Sequence, residues 1–525
     1  MSNTQSSSKM ISLVPTNGTE FNLEAGQKVI FELPPNLGLV KGRDSYLTMD
    51  IVNTASDNRR LALEHTCGAD AVISRVDIYS LRNGLHLETL QNYNQWASMT
   101  HQYLFEDKTN LQSLQGCGAR VFANENLLGT PTAVLSSAND PRDTIISPIK
   151  TDGTQFYNFR RFTTPLKAGI LRWWDSERLC PVLAFGGLRI EITLENPKVA
   201  LHTLEAVAAN GTKYEISTNS ANPIVMDDNG SGGALLTISS TLTFSSVEDC
   251  GLAIGNLITI TASSGDITDA VVSGLAIAGS GKLNITFTSA GTPAGVPNGD
   301  TGITVKLRTD GRSATVRPQF RVMSVAPPQN MVNEIGGGFQ YEFTTYDYLT
   351  SSLIASALQH QVELNSVATK ALCIISTFTD LSAQEAEGAS SYFTSAPPSQ
   401  LNLNSVQYFL NNRLQPVRSY NPTLNNDKVI TMNELVKAFS SISYEALDLG
   451  NADGNNLEQY TNSFAIARQL AKRPYHYDLK EAEGQIRLGF SADRSGTLGN
   501  VSINNYVWSK KVVVVNGNGD MEVVL

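Results

Sequence analysis

A seven-residue pattern occurs twice in this chain, and it limits the folds that the chain can adopt. Residues 186–192 read GGLRIEI and residues 484–490 read GQIRLGF, so both segments follow G-x-[LI]-R-[LI]-x-[IF]. Apolar and polar residues alternate in both, which is the period of a β-strand with one buried face. Because an internal repeat marks a structural unit that the chain forms more than once, the pattern predicts two similar β units in tandem.

A second pair of segments repeats in the same order along the chain. Residues 74–85, SRVDIYSLRNGL, and residues 404–414, NSVQYFLNNRL, each alternate and then run into a turn that contains asparagine. Such short matches arise by chance between β domains, so the inference depends on the shared order of the two pairs. We predict two β-sandwiches, since short alternating runs between turn residues are typical of that architecture.

A short helical segment follows each copy of the second pair. In the later copy, TMNELVKAF, Thr431 and Glu434 have the spacing of a capping box, and Leu435 and Phe439 share one helix face. The earlier copy, NQWASMTHQY, places three large side chains on one helix face: Trp96, Met99 and Tyr103. We predict a helix at each place, with the later one capped by Thr431.

The composition changes over residues 201–316. This stretch consists of thin strands rich in Ser, Thr, Gly and Asn, and its only aromatic residues are Tyr214, Phe244 and Phe287. In the first unit the chain runs from Glu195 to Phe320 before the next strand, whereas the equivalent step in the second unit, from Phe490 to Val507, has an ordinary loop length. The middle stretch is therefore predicted to be a β-rich module inserted into one loop of the first unit.

These observations predict an all-β fold class and a division of the chain. We expect an N-terminal arm at residues 1–19, a first sandwich from residues 20–200 and 317–335, an inserted module at 201–316, and a second sandwich at 336–525. Three consecutive glycines at the start of the last range indicate a flexible break between the two sandwiches.

Two adjacent tryptophans, Trp173 and Trp174, precede an apolar run that Pro181 opens and an alternating strand from Leu188 to Leu194. Neighbouring residues on a strand face opposite ways, so one indole can enter a core while the other covers a seam. Two interpretations are open, the edge of a core and a platform for a ligand. An isolated aromatic pair is more often a packing feature, which favours the edge of a core.

Composition and charge weigh against several classes of function. Lys and Arg number 39 against 49 Asp and Glu, the formal net charge is −10, and no run of basic residues is present, so direct nucleic-acid binding is not expected. The five cysteines are widely spaced without CxxC, which indicates neither a disulfide framework nor a zinc knuckle. The N-terminus lacks the apolar core of a secretory signal, so we expect a soluble protein made in the cytosol.

The sequence predicts no catalytic, cofactor or metal site. His65 and Cys67 are the nearest approach to a ligand pair, and without further spaced ligands we interpret them as structural. Residues 278–283, AGSGKL, resemble the end of a phosphate loop. However, Ala276 stands where the first glycine is required, and Leu283 replaces the Ser or Thr that binds magnesium. We interpret this segment as a hairpin turn.

The tandem sandwiches, the aromatic approach to PVLAFGGLRIEITLE and the later strand leading into YFLNNRLQPVRSYNP resemble the double jelly-roll major capsid proteins of double-stranded DNA viruses. The resemblance extends to those of polinton-like viruses and virophages. The likeness covers about residues 20–200 and 317–525. It implies jelly-roll topology for both sandwiches, with Trp173, Trp174 and Pro181 in the first, and an outward tower for the inserted module.

The resemblance also implies a function by packing rather than catalysis. Homotrimers would present a hexagonal outline and tile an icosahedral shell, with neighbouring capsomers, penton proteins and minor capsid proteins as partners in the virion. The sequence leaves open whether an internal membrane lies beneath that shell. A cell-surface adhesin or glycan-binding β-sandwich protein is the alternative, because the middle module is rich in Ser, Thr and Gly. A β-sandwich hydrolase would require a clustered catalytic set.

Overall fold

The structure is a computed structural model, and the residues that it describes form strands for the most part. They are residues 8–55, 61–63, 67–103, 145–146, 159–174, 178–203, 215–216, 224–228, 234–238, 254, 257–262, 265–277, 283–288, 304–307, 312–381, 393, 395–396, 398–410, 413–442, 464–471, 476–480, 484–492 and 500–524.

The strands are numbered along the chain. The first ten are β1 (Ser8–Leu13), β2 (Phe21–Asn22), β3 (Lys28–Leu33), β4 (Leu39–Asn53), β5 (Leu61–Leu63), β6 (Ile73–Ser80), β7 (His86–Gln91), β8 (Ile145–Ile146), β9 (Phe159–Pro165) and β10 (Leu188–Leu194). The next eight are β11 (Leu201–Thr203), β12 (Glu215–Ile216), β13 (Ile224–Asp228), β14 (Ala234–Ile238), β15 (Leu257–Ala262), β16 (Gly265–Ile277), β17 (Leu283–Thr288) and β18 (Thr304–Leu307). The last ten are β19 (Ala314–Val325), β20 (Phe339–Ile354), β21 (Gln359–Glu363), β22 (Ala371–Asp380), β23 (Leu403–Leu410), β24 (Arg413–Tyr420), β25 (Ala465–Gln469), β26 (Gly484–Phe490), β27 (Asn500–Val515) and β28 (Met521–Val524).

Helices lie in the connections between strands. They are α1 (Tyr93–Tyr103), α2 (Pro197–Ala200), α3 (Gln329–Gly336) and α4 (Asn425–Ile442). The chain enters α1 directly from β7, and α4 follows β24. Within the described ranges no helix combines the length and the apolarity needed to cross a membrane.

Four antiparallel sheets form two jelly rolls with the same strand order. In the first jelly roll, sheet 1a has the order β1-β19-β4-β9 and sheet 1b the order β3-β10-β6-β7. In the second, sheet 2a has the order β20-β27-β22-β25 and sheet 2b the order β21-β26-β23-β24. Along the chain these eight strands of each jelly roll follow the same sequence of sheets, so each of them has a counterpart in the other jelly roll, while β2 and β28 are additional strands paired with β19 and β27. The predicted fold class, two tandem jelly-roll sandwiches, is confirmed.

Both repeated sequence patterns form counterpart strands. The first pattern forms β10 and β26, which lie second in sheets 1b and 2b, and the second pattern forms β6 and β23, which lie third. In β10, Leu188, Ile190 and Ile192 are buried in the core, as the alternation predicts. This strand pairs with β3 on one side and β6 on the other, so it is an inner strand of its sheet.

The middle of the chain forms a sheet of its own. Its strand order is β12-β18-β15-β16-β17-β14-β13, and each of these strands pairs only within that set among the residues described. One face of the sheet is buried, with Ile258 and Ile260 on β15, Val272 on β16, and Ile285 and Phe287 on β17. The segment interpreted as a hairpin turn connects β16 to β17, which pair antiparallel, and residues 278–282 lie outside the described ranges.

The prediction of an N-terminal arm at residues 1–19 is wrong at residues 8–13, which form β1. Ile11 and Leu13 pack against the core of the first jelly roll, and β1 pairs with β19 along all six of its residues. Six residues of alternating side chains are enough for a strand when a long partner is present, and the polar composition of the N-terminus concealed this. Residues 1–7 of the predicted arm lie outside the described ranges.

Two hydrophobic clusters hold the jelly rolls together. The smaller cluster fills the space between sheets 2a and 2b, with Ile374, Phe378 and Tyr408 among its members. The larger cluster fills the first jelly roll and continues without a break into residues of the second, such as Tyr346 and Trp508. The two jelly rolls therefore share one core in addition to the separate interior of the second.

Candidate functional site: the seam between the two jelly rolls

The seam is the contact between the outer face of sheet 2a and the first jelly roll. Strand β22, ALCIISTFTD, does not alternate because both of its faces are buried. Ile374 and Phe378 face sheet 2b, whereas Cys373 and Ile375 belong to the cluster that the first jelly roll shares. A continuous apolar strand is expected where a sheet is covered on both sides.

An aromatic cluster forms the centre of the seam. Trp96 of α1 lies with its ring centroid 4.8 Å from that of Trp508 and 5.1 Å from that of Tyr506, both on β27. Trp174 stands edge-on to Trp508 at 5.0 Å, and Tyr346 of β20 lies 5.7 Å from Trp96. Such pairs stabilise by about 0.5–1.5 kcal/mol each beyond the area they bury. The cluster therefore joins residues from distant parts of the chain into one rigid contact.

Polar groups surround the aromatic cluster and cross the same seam. Gln95 accepts a hydrogen bond at Oε1 from Asn504 Nδ2 at 2.8 Å, and Asn92 Nδ2 donates to the Tyr506 hydroxyl oxygen at 3.0 Å. The Tyr346 hydroxyl donates to the Gln91 carbonyl at 2.9 Å. These bonds fix the angle at which α1 meets sheet 2a, since hydrogen bonds are directional where apolar contacts are not.

Tyr341 of β20 inserts into the turn that precedes the two tryptophans. Its hydroxyl donates to the Ile170 carbonyl at 2.7 Å and accepts from Arg172 Nε at 2.9 Å. The Arg172 guanidinium also lies 4.3 Å from the Tyr341 ring centroid, and Phe185 meets that ring edge-on at 5.4 Å. Burial raises the pKa of Tyr341 well above its ordinary value, so the hydroxyl stays a donor.

Gly169 marks a close backbone approach across the seam. A Cβ atom at this position would overlap the carbonyl oxygen of Thr344 on β20. The neighbouring carboxylate of Glu88 accepts from Gly169 N at 3.0 Å and Ile170 N at 2.9 Å. Burial raises the pKa of Glu88, because these hydrogen bonds only partly offset its desolvation. Residue 169 therefore has to be glycine for the two jelly rolls to approach this closely.

A buried ion cluster supports the first jelly roll's side of the seam. Asp70 accepts from Lys167 Nζ at 2.6 Å, from Thr164 Oγ1 at 2.9 Å and from His101 Nε2 at 3.0 Å. Burial opposes ionisation of Asp70, but the charge of Lys167 and the hydrogen bonds from His101 and Lys167 outweigh it and lower its pKa to about 2. The cluster ties α1 to the segment after β9, which leads to Trp173.

The two predicted tryptophans take different places, as expected, but not on a strand. Residues 169–174 form a turn, with Arg172 in the left-handed region at φ 64°. Trp174 enters the aromatic cluster, whereas Trp173 lies beside two cations, with Arg43 5.7 Å and Lys167 5.8 Å from its ring. A turn separates adjacent side chains as well as a strand does, so the sequence argument placed them in different surroundings for the wrong reason.

Helix α4 covers the remainder of the outer face of sheet 2a. Leu435 and Phe439 are buried there, as their spacing predicts. The predicted capping box is wrong, because α4 begins at Asn425 and Thr431 lies in its interior, where its hydroxyl donates to the Asp427 carbonyl at 3.2 Å. Glu434 instead forms ion pairs with Lys437 and Arg468.

Trp96 and Met99 of the earlier helix are buried on one face, as predicted. Tyr103 ends this helix, and its side chain lies outside what the structure describes.

The chemical candidates from the sequence do not form a site within the described ranges. Cys67 is buried and its thiol donates to the Asn94 carbonyl at 3.1 Å, while His65 lies outside those ranges. Among the residues described, no three His, Cys, Asp or Glu side chains come together in a way that could hold a metal ion. The candidate functional site is therefore the seam, where buried aromatic and charged groups come together.

The outer face of sheet 1a is the counterpart of the seam and is polar. Asp50 on β4 forms a bidentate pair with Arg161 on β9, at 2.6 and 2.7 Å, and Arg161 is 60% exposed. On β19, Arg317 and Gln319 are exposed on the same face. Aromatic packing like that on sheet 2a is replaced here by charged and amide side chains.

Sequence comparisons and structure comparisons give different results. No protein-family model matches the sequence, and no curated protein matches it. The structure is similar to VP54 of PBCV-1, fitted into a cryo-EM reconstruction of the virophage Sputnik, with a TM-score of 0.51, 10% identity, and coverage of 100% of this chain and 98% of that chain. It is also similar to a chain of the Sputnik virophage solved by cryo-EM, with a TM-score of 0.50, 10% identity, and coverage of 99% and 88%.

A third match is the Faustovirus major capsid protein, with a TM-score of 0.49, 11% identity, and coverage of 96% of this chain and 90% of that chain. The first two matches extend over most of the length of both chains, so both jelly rolls and the stretch inserted into the first are included. At such low sequence identity the likeness is one of fold, and this chain shares its fold with VP54 and with the Sputnik chain.

Proposed function

We propose that this chain is the major capsid protein of a double-stranded DNA virus, and that its trimers form pseudo-hexagonal capsomers that tile an icosahedral shell. The observation that carries the proposal is the repeated strand order of the two jelly rolls across a rigid seam. A ring of three such chains with cyclic symmetry has six similar walls, which is the outline that tiles a shell. The shared fold with VP54 and the Sputnik chain supports the same conclusion.

The surface chemistry suits a shell protein. Charged residues make up only 17% of the chain, and its formal net charge of −10 suits a wall that does not grip a genome. Lattice contacts between capsomers can each be small, because many weak contacts together give a stable shell while single errors can still dissociate. In this role the protein is structural and not an enzyme.

Further parts of the proposal concern location and partners. Within the predicted module at residues 201–316, the sheet of β12 to β18 is proposed as a tower on the outward side of the first jelly roll, since it pairs with neither jelly roll among the described residues. The two ends of that range differ, because β11 pairs with β5 and β19 begins at Ala314 in sheet 1a. The assembled protein is located in the virion after synthesis in the host cytosol. Its partners are further copies of itself, neighbouring capsomers, and penton and minor capsid proteins.

Size-exclusion chromatography with light scattering tests the proposal. Three copies of a 56.8 kDa chain have a mass of about 170 kDa, and we expect this species from the purified protein. Negative-stain electron microscopy should show particles with a hexagonal outline. A stable monomer that binds glycans on an array would contradict the proposal and favour the adhesin alternative.

A further inference from the structure

The seam joins two kinds of surface, and the strand order places both kinds on each jelly roll. The first kind is a helix that follows the fourth strand of sheet 1b, namely α1, together with the turn at residues 169–174. The second kind is the outer face of sheet 2a, above all β20 and β27. Because the jelly rolls have the same topology, α4 is the counterpart of α1, and the outer face of β1 and β19 is the counterpart of β20 and β27. Within one chain both helices contact the outer face of sheet 2a, whereas one side of α4 and the outer face of β1 and β19 remain accessible.

Helix α4 has an exposed stripe opposite the side that covers sheet 2a. Val429, Asn433 and Lys437 follow each other at i, i+4 and i+8 and are exposed, and Leu424 stands just before the helix. Val429 is 66% and Leu424 56% exposed, which are high fractions for apolar side chains. The corresponding helix, α1, buries Trp96 against the next jelly roll.

The outer face of β1 and β19 is accessible as well. Met10 lies opposite Met323 in the strand register, and Met10 is 38% exposed. Their neighbours Ile11 and Val322 point into the core, so the two methionines point outward. Arg317 and Gln319 extend this surface along β19. A small apolar patch with a polar surround is thus present on the counterpart of the seam's sheet face.

We infer that the exposed stripe of α4 in one copy packs on the outer face of β1 and β19 in a second copy of the chain. The inference rests on the proposed function and names the surfaces that would close its trimer. In a ring of cyclic symmetry this contact would alternate with the seam, so that each jelly roll meets its neighbour through a helix and a sheet face. The contact is heterologous, so it closes a ring when the rotation allows. Leu424 and Val429 supply apolar side chains to meet Met10 and Met323.

Two single variants and a mixture test the inference. Val429→Glu places a charge on the helix surface, and Met10→Glu places one on the sheet surface. Each variant should lose the species of about 170 kDa and run as a monomer of 56.8 kDa, because every contact in the ring uses one surface of each kind. Val367→Glu, at a site that is 53% exposed between β21 and β22, is the matched control and should remain a trimer. Far-UV circular dichroism of all variants should match that of the wild type, which separates assembly from folding.

An equimolar mixture of Val429→Glu and Met10→Glu gives the sharpest result. Each variant keeps one intact surface, so the mixture should form a dimer of twice 56.8 kDa, about 114 kDa, and no trimer. If the wild type is a trimer and the Val429→Glu and Met10→Glu variants are trimers as well, the inference is overturned and the proposed function still stands. A wild-type protein that is itself monomeric overturns the proposed function, and the inference with it.

Discussion

Sheets 1a and 2a have the same strand order but differ in their outer faces, which are exposed and polar in sheet 1a and buried and aromatic in sheet 2a. On β27 the outer face carries Tyr506 and Trp508, which are buried, whereas on β19 it carries Arg317 and Gln319, which are exposed. Along each strand, residues of the inner face alternate with residues of the outer face, and the inner faces of both sheets are apolar. The comparison shows that the inner faces are sufficient to specify a jelly roll, and that the outer face is free to follow what covers it. The outer face of sheet 2a is covered by the first jelly roll of the same chain, so it is buried in every folded copy.

Removing the central indole should produce the largest difference between the two faces. Trp96→Ala deletes a fully buried side chain that contacts rings from both jelly rolls, and we expect a loss of about 3–5 kcal/mol in the free energy of unfolding. Gln319→Ala on sheet 1a should change it by no more than about 0.5 kcal/mol. Chemical denaturation measures both. Equal effects of the two substitutions would contradict the assignment of the seam as a shared core.

The second prediction compares a buried ion pair with an exposed one. Asp70→Asn leaves Lys167 without its counter-charge in the interior, and we expect a loss of about 3 kcal/mol in the free energy of unfolding. The matched control is Asp50→Asn, which removes the partner of the exposed Arg161. If Asp70→Asn unfolds at the same denaturant concentration as the wild type, Asp70 does not support the seam as described.

The third and smaller predicted effect is a fall in the free energy of unfolding at acid pH. The pKa of Asp70 is lowered from 3.8 to about 2, so its ionisation contributes about 2 kcal/mol of stability above pH 4 that is lost as the pH falls towards 2. Glu88 has the opposite sign, because its raised pKa means that stability is lost as the pH rises through it. Denaturation at a series of pH values should show the acid loss, and Asp70→Asn should lack it.

Among the charged groups, the smallest effect belongs to the surface pair on sheet 1a. Asp50→Asn should change the free energy of unfolding by no more than about 1 kcal/mol, because Arg161 remains in contact with water. The change should shrink further in high salt, which screens exposed charges. A loss similar to that of Asp70→Asn would show that this face is covered in the folded monomer and would weaken the comparison.

The sequence predicts the strands that repeat and the faces that alternate. β10 and β26 share a seven-residue pattern, which identifies both as strands with one buried face, whereas their inner positions in the sheets are known only from the structure. Leu435 and Phe439 were likewise predicted on one helix face. Local rules worked at these positions because the burial of each side chain depends on its own element.

The seam could not be predicted in the same way. Trp96, Trp174 and Trp508 come together only through the topology, and no spacing in the sequence relates them. One signal was available: residues 371–375 of β22, ALCII, are apolar without alternation, which indicates a strand buried on both faces. The cap predicted at Thr431 was wrong because a Thr-x-x-Glu spacing also occurs inside helices, where the hydroxyl bonds to the carbonyl one turn earlier.

All of the chain's indole groups are found beside one another. The protein has four tryptophans, and Trp96, Trp174 and Trp508 stand in the aromatic cluster while Trp173 adjoins it in the preceding turn. Intrinsic emission excited in the indole band therefore reports on a single location, without any label. Under mildly denaturing conditions, a shift of this emission to longer wavelength that precedes the loss of the circular dichroism signal would identify separation of the two jelly rolls as the first step of unfolding.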